Sequence, residues 1–418
     1  MSDIFLSEDE VSKLDPWSVP IDEIDVSQPN LFKTNAHFAF FERLRKEAPV
    51  HYCKDSVFGP FWSITRFNDI MSVDKDHHNF SSVGGVSLGD RPSDFYTPNF
   101  ISLDPPEHDG QRMAVTGVVA PTNLAALETV IRERAAKILD GLPVGETFNW
   151  VDKVSIELTT QMLAAIFDFP FEERRKLTYW SDLATSTVAT GGSMPEESRR
   201  EGLMECLEVF TQLKRERERR DPAKHNDLVT MMAHSPATKD MDPMEYLGNL
   251  ILLIVGGNDT TRNSISGGVL ALNQFPEEYD KLRANPSLIR NMVPEIIRWQ
   301  TPLSYMRRRC LNDTVVNGQT IKAGDKVAMW YCSGNRDERV IDNPDAFIID
   351  RKQPRHHLAF GFGIHRCMGN RLAEMQLRII WEEILARFSR VEVVAEPVRV
   401  ASNFVKGYEE LLVVVHRK

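Results

Sequence analysis

The sequence predicts a mainly α-helical protein with small β-sheets, an α+β fold, and three observations carry this. Apolar residues recur at helical spacing through most of residues 121–235. In residues 243–274, Leu247, Leu250, Ile251, Leu253, Ile254 and Val255 leave no polar face, so a long helix with a buried centre is expected. Short alternating segments lie only near 50–64, 303–330 and 391–416, which predicts small sheets.

The 418 residues, 42% hydrophobic, can build a large core. Length alone suggests two or three domains. No Gly/Ser- or Pro-rich linker and no internal repeat divides the chain, so a single domain over 1–418 is expected. A net charge of −10 argues against nucleic acid as a partner. The start is acidic and has no signal-like apolar run. The most apolar run, 250–255, falls far short of the ~20 residues of a membrane span. A cytoplasmic protein with no span is therefore expected. Cys53, Cys206, Cys310, Cys332 and Cys367 form no paired framework.

In order, residues 1–35 read as an irregular arm holding Pro16, Pro20 and Pro29. Residues 37–47 form a helix on Phe38, Phe41 and Leu44, and 50–53 with 61–64 form a hairpin around Gly59-Pro60. Residues 79–103, rich in Gly and Pro, form a loop long enough to be a ligand lid. Pro105 and Pro106 start a helix that places His108 and Arg112 on one face. Helices follow at 124–139, 150–167, 172–189 and 195–219, with a hinge at Gly191-Gly192-Ser193-Met194 and a turn at 235–241.

The long helix 243–274 is interrupted in composition by Gly256-Gly257-Asn258-Asp259-Thr260-Thr261. Such poor helix formers cost ~2–3 kcal/mol together, which predicts a compensating role. Glu295 and Arg298 share a helical face, and Pro294 predicts that their helix is kinked or starts late. Strands are expected at 303–307, 314–316 and 326–330, with a turn at Asn317-Gly318. Residues 391–416 alternate as a small sheet, with Phe404 in a turn.

The densest signal is Phe360-Gly361-Phe362-Gly363-Ile364-His365-Arg366-Cys367-Met368-Gly369, followed by a helix from Asn370. Cys367 stands at that helix's N-terminus beside His365 and Arg366, a setting expected to favour its thiolate. A thiolate there can coordinate a metal along an open axis.

This pattern resembles the haem-binding loop of the cytochrome P450 superfamily. The resemblance implies that fold, with haem b between the long central helix and the cysteine-loop helix. It implies Cys367 as iron ligand, with Phe360, Gly369 and Gly256 against the haem. His108 and Arg112, in D-P-P-x-H-x-x-x-R, and His365 would hold the propionates. A further propionate arginine falls at Arg308, uncertain by one residue between Arg307 and Arg309. Asp259 and Thr260 resemble the acid–alcohol pair that delivers protons to bound oxygen. The two glycines would let haem and dioxygen approach the backbone. Glu295, Arg298 and Arg351 resemble an architectural triad that locks the cysteine loop.

The wording of residues 252–263 and 294–302 resembles the bacterial alkane-hydroxylase family of soluble cytochromes P450. It implies a monooxygenase that hydroxylates medium-chain alkanes or fatty acids at or near the terminal methyl, with Val255, Leu303, Met306 and Phe404 as pocket candidates. The chain has no flavin, NAD or iron–sulfur fingerprint, so electrons would come from a [2Fe-2S] ferredoxin and its NAD(P)H reductase, docking on Arg366, Arg371 and Arg378. The alternatives are a bulkier terpene or steroid substrate, a peroxide-driven haem enzyme, and a haem-based sensor.

Overall fold

The computed structural model describes residues 4–90, 93–187 and 194–418. The central helix, Pro243–Gln274, has the bounds its sequence suggests. Pro243 occupies the first helical turn, and the Asp242 side chain caps it by accepting from Met244 N–H. At ~1.5 Å per residue it runs for roughly 48 Å. The helices Glu157–Phe167, Arg175–Thr185, Ile289–Gln300 and Asn370–Arg387 pack around it. They share one apolar core that includes Leu158, Leu247, Leu250, Ile296, Leu377 and Trp381.

Several elements differ from expectation. The 150–167 helix begins as a π-helix, Val151–Ile156, against the central helix. The arm is not wholly irregular: Glu8–Ser12 is a helix with a Ser7/Glu10 capping box, and Pro29–Lys33 is another. Further short helices escaped the periodicity reading: Phe67–Lys75, Leu228–His234, capped by Asp227, Pro276–Ala284 and Tyr331–Gly334. The expected 172–189 helix is Arg175–Thr185, and residues 191–193 of the expected hinge lie outside the described residues. Pro294 does not delay its helix, which starts at Ile289 and carries the proline in its interior. A proline there removes a single i→i−4 bond, and the strongly amphipathic flanks keep the helix continuous.

The largest sheet has five strands in the spatial order Val50–Cys53, Phe61–Ile64, Lys326–Met329, Met306–Cys310, Phe80–Ser81. The fourth begins later than expected. Leu303 makes only an isolated bridge to Val405, and regular pairing starts at Met306 opposite Met329. The C-terminal strands form a two-stranded sheet and, together with Thr147–Asn149, a three-stranded one. Asn317 and Gly318, both at positive φ, join Thr314–Val316 to Gln319–Ile321.

Residues 82–90 leave the sheet, and residues 97–100 lie against the central helix before the chain returns at Asp104. Asp104 closes the loop at its base, accepting from the Ser81 hydroxyl and the Ser82 N–H. At the far side Phe100 N–H donates to Asn249 Oδ1 at 3.2 Å. There Gly248 packs so closely under the Pro98 carbonyl that any Cβ would overlap it. No single helix among the described residues is long and apolar enough to cross a membrane.

Candidate functional site

Cys367 sits between a 3-10 turn, Gly363–His365, and the helix Asn370–Arg387. Its N–H donates to Phe360 O at 2.8 Å and closes the loop. Gly361 and Gly363 adopt φ of +65° and +67°, which side chains rarely tolerate. A Cβ on Gly363 would also come within 2.5 Å of the Asp74 carbonyl. Cys367 is exposed by surface area, yet its thiol lies deep within the protein, the combination expected of a group lining an internal cavity.

In the protein by itself, burial opposes the thiolate that the helix end and the arginines favour. Burial pushes the Cys367 thiol up. The Gly369 and Asn370 N–H groups and the Arg112 and Arg366 guanidiniums pull the other way without winning. The helix-end reading saw the local charges but not the desolvation. A metal cation at the sulfur would reverse the balance, since a coordinating thiol is deprotonated outright.

The central helix faces this loop with divided chemistry. A Cβ on Gly256 would meet nothing within 4 Å, and the residue is exposed although it lies mid-helix between buried Ile254 and Asn258. Gly257 has a different job: a Cβ there would come within 2.8 Å of Leu163. Only Gly256 leaves open space for a flat ligand. Thr260 Oγ1 donates back to Gly256 O at 3.0 Å, the i−4 bond that competes with the helix ladder.

Asp259 is fully buried. Its Oδ1 accepts from Asn258 Nδ2 at 3.1 Å and pairs with Arg262 Nη2 at 3.0 Å. Its Oδ2 meets hydrogen-bond geometry with no group among the described residues, although the Ser181 hydroxyl interacts with the carboxyl. Desolvation raises the Asp259 pKa, opposed by Arg262. Arg262 in turn bonds the half-exposed Asp182 at 2.8 Å, linking the buried acid to the surface. An acid poised to take and give protons has this character. Replacing Asp259 by Asn is expected to slow product formation by roughly 10²-fold while haem content stays at the wild-type level, read by steady-state turnover and visible absorption.

His108 and His365 meet with ring centroids 4.5 Å apart. Asp109 holds His108 Nδ1 at 2.8 Å, but His108 Nε2 and both His365 ring nitrogens are buried without partners. Burial, then Arg308, His108 and Arg112, hold the His365 pKa far down, so its ring is neutral and offers an N–H donor. Arg112 Nη2 donates to Arg366 O at 2.6 Å. Orphaned donors around an exposed cysteine and a bare helix glycine fit a large flat group bearing carboxylates. Among the described residues no cluster of three or more His, Cys, Asp or Glu could hold a metal ion without such a group.

Strand pairing separates the three arginines. Arg309 is exposed, whereas Arg307 and Arg308 are buried. Arg308 Nη2 donates to Asp74 Oδ1 at 2.8 Å. Asp74 Oδ2 also accepts from Tyr331 Oη at 2.9 Å and from Phe362 N–H, in the cysteine loop, at 2.8 Å. Arg308 is thus the arginine joined to the loop, through a carboxylate that sequence reasoning missed. Arg307 points instead to residues 84–90, bonding Gly84 O, Gly85 O and Asp90.

Glu295 accepts from Arg298 Nε and Nη2, both at 2.8 Å, from Arg351 Nε at 3.0 Å and Nη2 at 3.2 Å, and from Ile348 N–H at 2.9 Å. Arg298 also donates to the carbonyls of Asn335, Pro344 and Ala346. The pocket candidates Val255, Leu303, Met306 and Phe404 are all partly exposed, and Phe404 stacks edge-on against Tyr305 at 5.3 Å. A separate open cleft of about 600 Å³, lined by Phe95, Tyr96, Met204 and Met244 among others, includes none of the cysteine loop. Of the expected docking cations, Arg378 is tied to Glu128 at 2.7 Å and Glu382 at 3.0 Å, while Arg366 and Arg371 form no side-chain ion pair among the described residues.

Comparison with known proteins adds to this geometry. A family model described as Cytochrome P450 matches residues 197–399. Linalool 8-monooxygenase of Pseudomonas putida is 35% identical, over 94% of this chain and 98% of that protein. Methyl-branched lipid omega-hydroxylase of Mycobacterium tuberculosis is 29% identical, over 95% of each. The solved structure of Cytochrome P450-153 from Novosphingobium aromaticivorans superposes with a TM-score of 0.88 at 44% identity, covering 96% of this chain and all of that one.

Proposed function

The chain belongs to the cytochrome P450 family, and from that premise we propose that it hydroxylates a hydrophobic linear substrate, a medium-chain alkane or fatty acid, at or near its terminal methyl. It is a haem-thiolate monooxygenase. The observation that carries the reading is the buried acid–alcohol segment of the central helix, with Asp259 linked to the surface through Arg262 and Asp182. A sensor or a peroxide-driven enzyme has no need of such a relay.

When bound, haem supplies oxygen activation and the insertion of one oxygen atom into a C–H bond; the other leaves as water, with two electrons and two protons consumed. The chain's own residues do the rest. Cys367 Sγ would ligate the iron. His108, His365, Arg112 and Arg308 would hold the propionates, because buried carboxylates need donors. Asp259 takes protons from the Arg262–Asp182 side and passes them to Thr260, whose hydroxyl faces the open space at Gly256. Val255, Leu303, Met306 and Phe404 line the approach.

Terminal C–H bonds are stronger than internal ones, and each ~1.4 kcal/mol of intrinsic bias is tenfold in rate. A terminal hydroxylase must therefore restrict approach to the iron. The name of the omega-hydroxylase relative supports that regiochemistry. The linalool enzyme supports a second reading, an open-chain terpenoid substrate. Electrons would arrive from a [2Fe-2S] ferredoxin and its NAD(P)H reductase, through a face that includes Arg366 and Arg371.

The test is product analysis. Octane with ferredoxin, reductase, NADH and oxygen is expected to give mainly 1-octanol, and at least about tenfold more product than peroxide alone. Mainly internal alcohols would overturn the terminal assignment. Equal yields with peroxide alone would remove the ferredoxin.

A further inference from the structure

We propose that Arg307 is a specificity-determining positioning residue, which fixes the path of residues 84–90 beside the substrate cavity and so sets which carbon of the substrate reaches the iron. The proposal rests on the reading above that Met306 and Phe404 line the substrate approach, beside which Leu88 shares an apolar cluster with Tyr305 and Phe404.

Arg307 is 1% exposed and lies on the strand Met306–Cys310. Its neighbour Arg308 turns toward Asp74 and the cysteine loop; Arg307 turns the other way, as strand alternation requires. Its backbone N–H donates to Val86 O at 2.7 Å. Its guanidinium donates to Gly84 O, to Gly85 O at 3.2 Å and to Asp90 Oδ1 at 2.8 Å, with Leu88 O at 3.5 Å. From the same strand approach, Tyr305 Oη accepts from Leu88 N–H at 2.9 Å. The segment thus has no ladder of its own here. One side chain serves as the template for its carbonyls.

Asp90 completes the clamp. Its second oxygen accepts from Lys326 Nζ at 2.7 Å, and Lys326 also donates to Phe58 O at 2.9 Å. Gly84 and Gly85 have φ of +90° and +112°, so the carbonyls that converge on Arg307 are presented by a backbone that only glycine adopts readily. The same loop continues to Pro98 and Phe100, held at the central helix by Gly248 and Asn249. It therefore bridges the strand that carries Met306 and the helix that carries Val255. A planar five-donor group can gather several carbonyls at once; an ammonium cannot reach them all.

The test uses full-length holoenzyme carrying Arg307→Lys, Arg307→Met or Asp90→Asn. Asp90 is mostly exposed, so its substitution leaves the core intact. Haem content and the reduced carbon monoxide spectrum are expected to match wild type in all three. Amide hydrogen exchange at Val86 and Leu88 is expected to quicken by roughly tenfold in Arg307→Met, less in Arg307→Lys and Asp90→Asn. With octane, the ratio of terminal to internal alcohol is expected to fall about tenfold in Arg307→Met and to be partly restored in Arg307→Lys. Loss of haem in the Arg307 variants, or unchanged exchange and regiochemistry, would overturn the proposal. If wild type fails to oxidise octane, the linear-chain reading falls by itself. The preference between dodecanoic acid and camphor, read from the haem spectrum, then decides: a preference unaltered in Arg307→Met overturns the role of Arg307.

Discussion

Replacing Cys367 by Ser is expected to abolish the long-wavelength Soret absorption of the reduced carbon monoxide complex. Turnover should fall by roughly 10³-fold or more, a barrier rise of about 4 kcal/mol. The physical reason is the ligand. A thiolate pushes electron density onto iron and favours O–O cleavage. A serine hydroxyl placed on the same backbone would stay protonated. The loop itself should survive the change, since its closure depends on Cys367 N–H to Phe360 O and on Asp74 with Phe362 N–H, none of which uses the sulfur. Haem can therefore still occupy the cavity, and the spectrum reads the bond directly. Retention of the thiolate-type absorption in the serine variant would refute Cys367 as ligand.

Glu295→Gln is expected to give protein that binds little haem or aggregates, not a slow enzyme. Glu295 is wholly buried and meets two guanidiniums, of which Arg298 is 1% exposed. An amide can accept at one atom only. Its NH₂ would face a guanidinium, and two cations would share the site without a counter-charge. Breaking a buried pair in this way costs ~3–5 kcal/mol, against ~5–15 kcal/mol for a whole fold. At about 2.1 cal/mol/K per residue, that is a midpoint shift of about 3–6 °C. The local effect is larger, because the same carboxylate receives Ile348 N–H while Arg298 gathers the Asn335, Pro344 and Ala346 carbonyls. Haem content per protein and thermal unfolding check it. A stable variant with full haem would show that the triad does not secure the site.

The parts of the site legible in the sequence were those built from neighbouring residues. The central helix could be placed because Pro243 opens it and the apolar residues of 247–255 leave no polar face. The cysteine loop compresses its glycines, histidine and cysteine into ten positions. The failures lie where distant segments meet. Asp74 sits in an ordinary amphipathic helix, Phe67–Lys75, and nothing local marks it. Its partners Arg308 and Phe362 lie 234 and 288 residues away. The burial that opposes the Cys367 thiolate was hidden for the same reason: helix end and arginines are near in sequence, whereas the enclosing protein is not. Choosing among Arg307, Arg308 and Arg309 needed the strand's pairing, which decides which face each side chain takes.

The contact at Gly248 bears on how such a chain can change over time. With no clearance between the Pro98 carbonyl and that α-carbon, the loop rests on the helix like a lintel on a post. One added methyl would have to lift it, with no alteration to any group that handles protons or iron. The seat of the loop and the chemistry of the helix beneath it can therefore be inherited separately.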